Sequence, residues 1–365
     1  MTFKNRLKKI IIIFLFSILA LLIYMFLLFS IFDKDHRNEP IIVKSDLWLS
    51  PSSDSLTYYY IEKQNIPSLN TILNNTIDSI FICNYKKRQK NSVTLKDPTN
   101  YILHFTNNYS SGTLYLYSDF IETRDSVFIK LFMANARWMR DNIKIVHDTI
   151  AIWTNDNLIY DKYNLKYGWA SAYAQGFGLS VLCRAYQQTQ NKNYLDLSEK
   201  VLNSFNYNYR SGGIVSIDND GNYWYLEYPA EPPGYVVNGM IFGLFGIWDY
   251  YRITNSEKAK VYFDRGIATL VKNLEKYDKG YWSAYDLEYH TCAGYNYHKN
   301  IHIPQLDALF YITGNPIFKE YADRFRNDLK EPNFSIFKLN FTLEAIQRRL
   351  TYKNPLKVFF KRRFK

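Results

Sequence analysis

Beyond Asp119, apolar residues recur at three- and four-residue intervals, which predicts a succession of helices. Two kinds alternate. "WASAYAQGFGLSVLCRAYQQT" and "YVVNGMIFGLFGIWDYYRIT" are apolar on nearly every side, whereas "NYLDLSEKVLNSF" and "EKAKVYFDRGIATLVKNLEKY" carry a single apolar stripe. Further helices are predicted in "DFIETRDSVFIKLFMANARWMRDNI", "HIPQLDALFYIT" and "PIFKEYADRFRNDL". A helix buried on all sides needs amphipathic neighbours outside it. The alternation therefore predicts a mainly α fold, an (α/α) toroid of helical hairpins over 119–350. In such a ring the inner-helix ends and connecting loops converge on one cleft.

The pattern before Asp119 is different. Ile10 to Phe32 is an unbroken run of 23 uncharged positions, roughly 35 Å as a helix and enough to cross a bilayer. The basic residues of 1–9 in front of it favour a cytoplasmic N-terminus. Residues 10–32 are thus expected to be an uncleaved transmembrane anchor in the lipid bilayer of the inner membrane. The rest would then lie outside the cytoplasm. A polar stalk is expected over 33–60. A small mixed α/β subdomain follows over 61–118, with "NSVTLK" and "TLYLYS" strand-like and "IPSLNTILNNTIDSIF" helical. A second membrane span is not expected, because Tyr235–Trp248 offers only fourteen uncharged positions. That stretch reads as a core helix, with Gly239 and Gly243 spaced for close approach of another helix.

Charge changes the picture only at the ends. Ten cations in the first nine and last thirteen residues account for nearly all of the net charge of +11, so the body is close to neutral. A nucleic-acid partner is therefore not expected. The tail over 351–365 interleaves phenylalanine with cations and reads as a solvated terminus or a peripheral contact with an anionic surface. Three distant cysteines, Cys83, Cys183 and Cys292, offer no metal spacing, and no metal is expected. A disulfide between two of them and homodimerisation are both left open. The 33 tyrosines and 25 phenylalanines suit a sugar-binding cleft, though composition alone argues this weakly.

Three segments take the same architectural position at the inner rim: "GWASAYAQG", "LEYPAEPPGYVVNG" and "YDLEYHTCAGYNYHKNIHIPQL". They bring carboxylates, tyrosines, His298, His302 and Gln305 together without a serine or lysine nucleophile pattern, which is acid/base chemistry. These motifs, with "YDKGYWSAYDL" and "PIFKEYADRF", resemble the C-terminal domain of the D-glucuronyl carbon-5 epimerases over about Tyr167–Leu329. The resemblance implies an acidic polysaccharide as substrate and proton transfer at carbon 5 without a cofactor. It implies Glu227 and Tyr297 as the two acid/base groups, with Tyr228 and Tyr285 as hydrogen-bonding helpers. Expected substrate contacts are Trp169, Tyr173, Gln175, Asn238, His298, Lys299, His302 and Gln305. The chain departs from the vertebrate-type pattern in three ways. Glu288 and Gly294 stand where arginines are found, the stretch from Tyr297 to His302 is one residue longer, and residues 33–118 hold no counterpart of comparable size to the large N-terminal β-domain. Lys299 and His302 are the expected substitutes for the missing charge.

Individual residues also have plainer readings. Trp169 and Tyr173, four apart, form either a stacking platform for a sugar or core. Glu231 reads as a helix-start carboxylate. Two other functions remain open on the same fold: a lyase or a glycoside hydrolase, the latter with Glu227 or Glu231 opposing Asp286 or Glu288, and a non-catalytic glycan-binding or assembly protein.

Overall fold

A computed structural model describes residues 113–352, apart from 115, 118, 119, 122, 123 and 156–159. The expected membrane anchor, stalk and basic tail lie outside the described residues, as does nearly all of the expected small subdomain. What is described is mainly helical. The residues up to Lys330 belong to one compact unit, and those from Glu331 onward, with helix Asn333–Tyr352, to another.

Two helices form the centre of the first unit. We label the helices of the unit α1 (Ser126–Asp141), α2 (Ala172–Thr189), α3 (Lys192–Asn203), α4 (Val237–Thr254), α5 (Glu257–Asn273), α6 (Tyr295–Tyr297), α7 (Ile303–Thr313) and α8 (Pro316–Asp328). Helices α2 and α4 make the most extensive helix–helix contact, and most of their residues are buried. The amphipathic α3 and α5 pack outside them, α3 on α2 and α5 on α4, while α7 pairs with α8. The alternation of all-round apolar and one-striped helices is thus met in space by inner and outer positions.

Glycine brings the two inner helices into backbone contact. A Cβ added to Gly176 would lie 2.3 Å from the carbonyl oxygen of Phe242, and one added to Gly246 would lie 2.1 Å from the carbonyl oxygen of Gly176. No side chain fits at this crossing. Of the pair expected from spacing, Gly243 is at the crossing, its Cα 2.6 Å from a Cβ added to Gly176, whereas Gly239 faces Glu227. Deeper along the same helices Arg184 and Asp249 form an ion pair at 2.6 Å, with both side chains fully buried. Among the described residues no helix is long and apolar enough to cross a membrane, and α4 is a core helix.

Short antiparallel pairs carry the loops. β1 (Lys144–Val146) pairs with β2 (Ile150–Ile152), β3 (Thr154–Asn155) with β4 (Trp169–Ala170), and β5 (Val215–Ile217) with β6 (Tyr223–Tyr225). The β5–β6 hairpin turns through Asp218, whose carboxylate accepts from the side chains of Asn222 and Trp224. Beyond β6, Leu226 donates its N–H to Ile214 and accepts from Ala172 at the start of α2. That anchoring leads the chain directly to Glu227.

Between α6 and α7 the helix widens into a π-turn over His298–His302, where the N–H of Ile303 reaches the carbonyl of His298 five residues back. Pro304 follows at once, and its ring clashes with a carbonyl one α-turn earlier unless the ladder opens there. This is the stretch that reads as one residue longer than in the vertebrate-type enzymes.

Candidate active site

Glu227 is 5% exposed and lies against the first turn of α4. It fits there because Gly239 has no side chain: a Cβ at that position would lie 2.3 Å from the Cβ of Glu227 and 2.4 Å from its Oε2. Asn238 Nδ2 donates to Oε2 at 3.2 Å, and the hydroxyls of Tyr228 and Tyr285 also bond the carboxylate. Burial dominates these donors and raises the Glu227 carboxyl to about 7, while the hydrogen bonds and the Lys162 ammonium pull it back down. The group is poised between its two protonation states near neutrality, as a general acid or base must be.

The tyrosines come from two loops. Tyr285 is held by its N–H on the carbonyl of Thr291, and its own carbonyl meets the N–H of Val237 at the start of α4 at 3.5 Å. The ring of Tyr297 meets that of Tyr285 edge to face, 5.3 Å between centroids, and is 40% exposed at the mouth of the site. Tyr228 stacks on Tyr160 and Tyr163 at 4.7 and 4.6 Å, with Trp169 tilted against it at 5.7 Å. Burial first, then the adjacent Glu227 charge, holds the Tyr228 and Tyr285 phenols well above their ordinary range, so both are hydrogen-bond donors at neutral pH.

The four expected catalytic groups are therefore brought together, but several expected substrate contacts are not. Asn238 bonds Glu227 through its amide nitrogen, and its Oδ1 has no partner among the described residues. Gln305 sits behind it, fully buried, donating to the Asn238 carbonyl at 3.0 Å. Gln175 spends its amide on the main chain, accepting from the N–H of Trp153 at 3.1 Å and donating to the Trp153 carbonyl at 2.8 Å. Trp169 and Tyr173 do not share a helix face. Trp169 is in β4 and the helix begins at Ala172, so Trp169 joins the tyrosine stack while Tyr173 packs edge to face on Phe177 and Phe242.

The two histidines lie beneath the site. His298 is stacked on Trp282 at 3.7 Å, accepts from the Ser283 N–H at Nδ1 and meets the Phe325 carbonyl at Nε2. Ser283 Oγ lies 2.8 Å from the Nδ1 of both His298 and His302. Burial lowers both imidazoles to about 3, so they are neutral and do not replace the absent arginine charge. Lys299 stands over the ring of Tyr295 at 5.6 Å. Glu288 is exposed. Glu231 does not start a helix, since α4 begins only at Val237; it pairs with Arg210 and Tyr209 at the surface.

The cation that does reach the site is Lys162, in the short 3-10 turn Asp161–Tyr163. Its Nζ bonds Asp286 Oδ2 at 2.7 Å and Tyr163 Oη at 3.0 Å, and stands 5.0 Å from the ring centre of Tyr285. Asp286 is fully buried and also accepts from Tyr163 Oη and the Tyr289 N–H. Sequence reasoning missed Lys162 because it lies outside all three motif segments and 124 residues from its partner. Among the described residues no cluster of metal-ligating side chains is present, and Cys183 and Cys292 are both buried.

The motif for the D-glucuronyl C5-epimerase C-terminus matches residues 147–327. An uncharacterized protein of Methanocaldococcus jannaschii is 32% identical over 181 residues, 49% of this chain and 58% of that protein. A D-glucuronyl C5-epimerase of Caenorhabditis elegans is 31% identical over 176 residues, 43% of this chain and 28% of that protein. The chain thus spans less than two thirds of the length of either relative. Residues 147–327 belong to the D-glucuronyl C5-epimerase C-terminal family.

Proposed function

We propose that the chain is a carbohydrate epimerase that inverts carbon 5 of a uronic acid residue within an acidic polysaccharide. The observation that carries this reading is the buried Glu227 with a proton affinity near neutrality, hydrogen-bonded by two tyrosines and with a third, Tyr297, at the mouth. Carbon 5 lies beside the uronate carboxylate, so taking its proton spreads the electron pair into that carboxylate and builds an enolate-like dianion. Glu227 and Tyr297 act as the two acid/base groups. One accepts the carbon-bound proton, the other delivers its own to the opposite face, and exchange with solvent resets both. Tyr228 and Tyr285 donate to the charged form of Glu227 and orient it. The helical pairs are proposed to close as an (α/α) toroid with this site in its cleft. The anchor read from 10–32 would hold that cleft outside the cytoplasmic membrane.

Incubation with a glucuronate-containing polysaccharide in deuterated buffer tests the reaction. Deuterium at carbon 5 without chain shortening is expected. New reducing ends would instead mean hydrolysis, an ultraviolet-absorbing unsaturated sugar would mean elimination, and either result without exchange would refute the epimerase reading. The hydrolase alternative already lacks an available second carboxylate in one place: Asp286 is buried and takes three hydrogen bonds.

A further inference from the structure

We propose that Lys162 is the cation that receives the substrate's carboxylate, which makes it a specificity-determining residue for acidic over neutral sugars. The idea deepens the epimerase reading and takes the identity of the ligand from it. An ammonium has three N–H donors. Two of Lys162's are spent on Asp286 and Tyr163. Among the described residues the third meets only ring faces, those of Tyr163, Tyr285 and Tyr289 at 4.7, 5.0 and 5.2 Å from Nζ. Aromatic faces attract a cation without saturating it, so that donor remains for an incoming anion. The lysine side chain is 20% exposed, whereas Asp286 is 0% exposed, so a ligand meets the cation and not the anion behind it.

Position supports the assignment. Lys162 stands over the ring of Tyr285, whose hydroxyl bonds Glu227, so a carboxylate on the lysine would hold its neighbouring carbon near that acid/base group. Other cations near the site are occupied differently. His298 and His302 are buried and neutral, Lys299 covers Tyr295, and Arg210 is spent on Glu231 at the surface. Asp286 fixes the lysine in place, because its second oxygen is tied to the Tyr289 N–H at 2.6 Å and Tyr289 Oη in turn donates to the Lys162 carbonyl at 2.9 Å. Glu288 and Gly294, where the resemblance would put arginines, can then be tolerated, since the charge enters from a different loop.

The test is calorimetric binding of a glucuronate-containing oligosaccharide and of its carboxyl-reduced counterpart, alongside carbon-5 deuterium exchange, with the full chain. The native protein should prefer the acidic ligand by about tenfold or more, the scale of one charge-assisted hydrogen bond. Lys162→Met should abolish the preference, and Lys162→Arg should restore at least part of it. Because Lys162→Met strands Asp286, the neutral pair Lys162→Met/Asp286→Asn is the second variant, and it should lose the preference too. A preference that survives in that double variant overturns the proposal, as does its absence from the native protein. Exchange in the native protein with the preference intact in the double variant would overturn the lysine's role and leave the epimerase standing. A preference that Lys162 controls, without exchange, would overturn the epimerase and leave the carboxylate contact standing.

Discussion

Glu227 is a buried carboxyl whose two protonation states are of nearly equal free energy at neutral pH. As a base it should give a kcat/KM that rises about tenfold per pH unit below 7 and levels off above it. Glu227→Gln and Tyr297→Phe should each abolish carbon-5 exchange, and undiminished exchange in both would refute the pairing. The same shift predicts a stability effect. Because the folded carboxyl binds its proton more tightly than the unfolded one, its stabilising contribution is complete below pH 4.5 and is lost as pH rises through about 7. Relative to the native protein, Glu227→Gln should therefore gain stability between pH 4.5 and 8, by up to about 3 kcal/mol in denaturant titrations. That Glu227 stands just before α4 was legible from its motif. Its high proton affinity was not, because desolvation depends on how closely the loop folds back onto Gly239 in the first turn of α4.

At the scale of elements, two glycines of one helix should fail differently. Gly246→Ala presses a methyl into the backbone of α2, which cannot yield, so the α2–α4 pair should loosen and the thermal midpoint fall, with overpacking costing about 1–3 kcal/mol or more. Gly239→Ala presses its methyl against the Cβ and Oε2 of Glu227, so the carboxylate must move and exchange should drop by at least about a hundredfold. Undiminished exchange in Gly239→Ala, or an unchanged midpoint in Gly246→Ala, would contradict this division. The buried pair offers a third case: Asp249→Ala takes the carboxylate away from the buried Arg184 charge and should cost about 3–5 kcal/mol. Periodicity makes inner and outer helices legible from the chain alone, since burial on all sides leaves a distinct pattern. Contacts across 65 or 124 residues, such as Arg184–Asp249 and Lys162–Asp286, leave none. Strand β4 was hidden for a related reason, as two residues are too few to show a period and Trp169 continued the helical pattern.

For the molecule as a whole, three buried titratable groups pull stability in opposite directions. His298 and His302 bind a proton far more weakly folded than unfolded, so their contribution is present above pH 6.5 and is lost as pH falls toward about 3. Glu227 acts in the opposite sense over pH 4.5 to 7. Two groups against one leave a net loss of about 1.4 kcal/mol per unit of acidification between pH 6.5 and 4.5. His302→Gln should flatten that slope to near zero, which denaturation midpoints at pH 5 and 6.5 would measure. A slope unchanged by the substitution would mean that other groups set it. The sequence pattern assigned these histidines to the cleft because they flank its last tyrosine, whereas the turn of the helix carries them beneath it.

That turn, the π-segment over His298–His302, also bears on descent. A π-turn is what an uninterrupted α-helix becomes when its gene gains one codon and the flanking contacts are kept. Removing one residue rotates everything beyond it by about 100°, so His302 would no longer face Ser283 beside His298. The second of the serine's two histidine contacts thus depends on the extra residue. Lineages that lack the added codon should therefore hold the position of Ser283 less strictly than those that have it, so variation there should track the codon across a family tree.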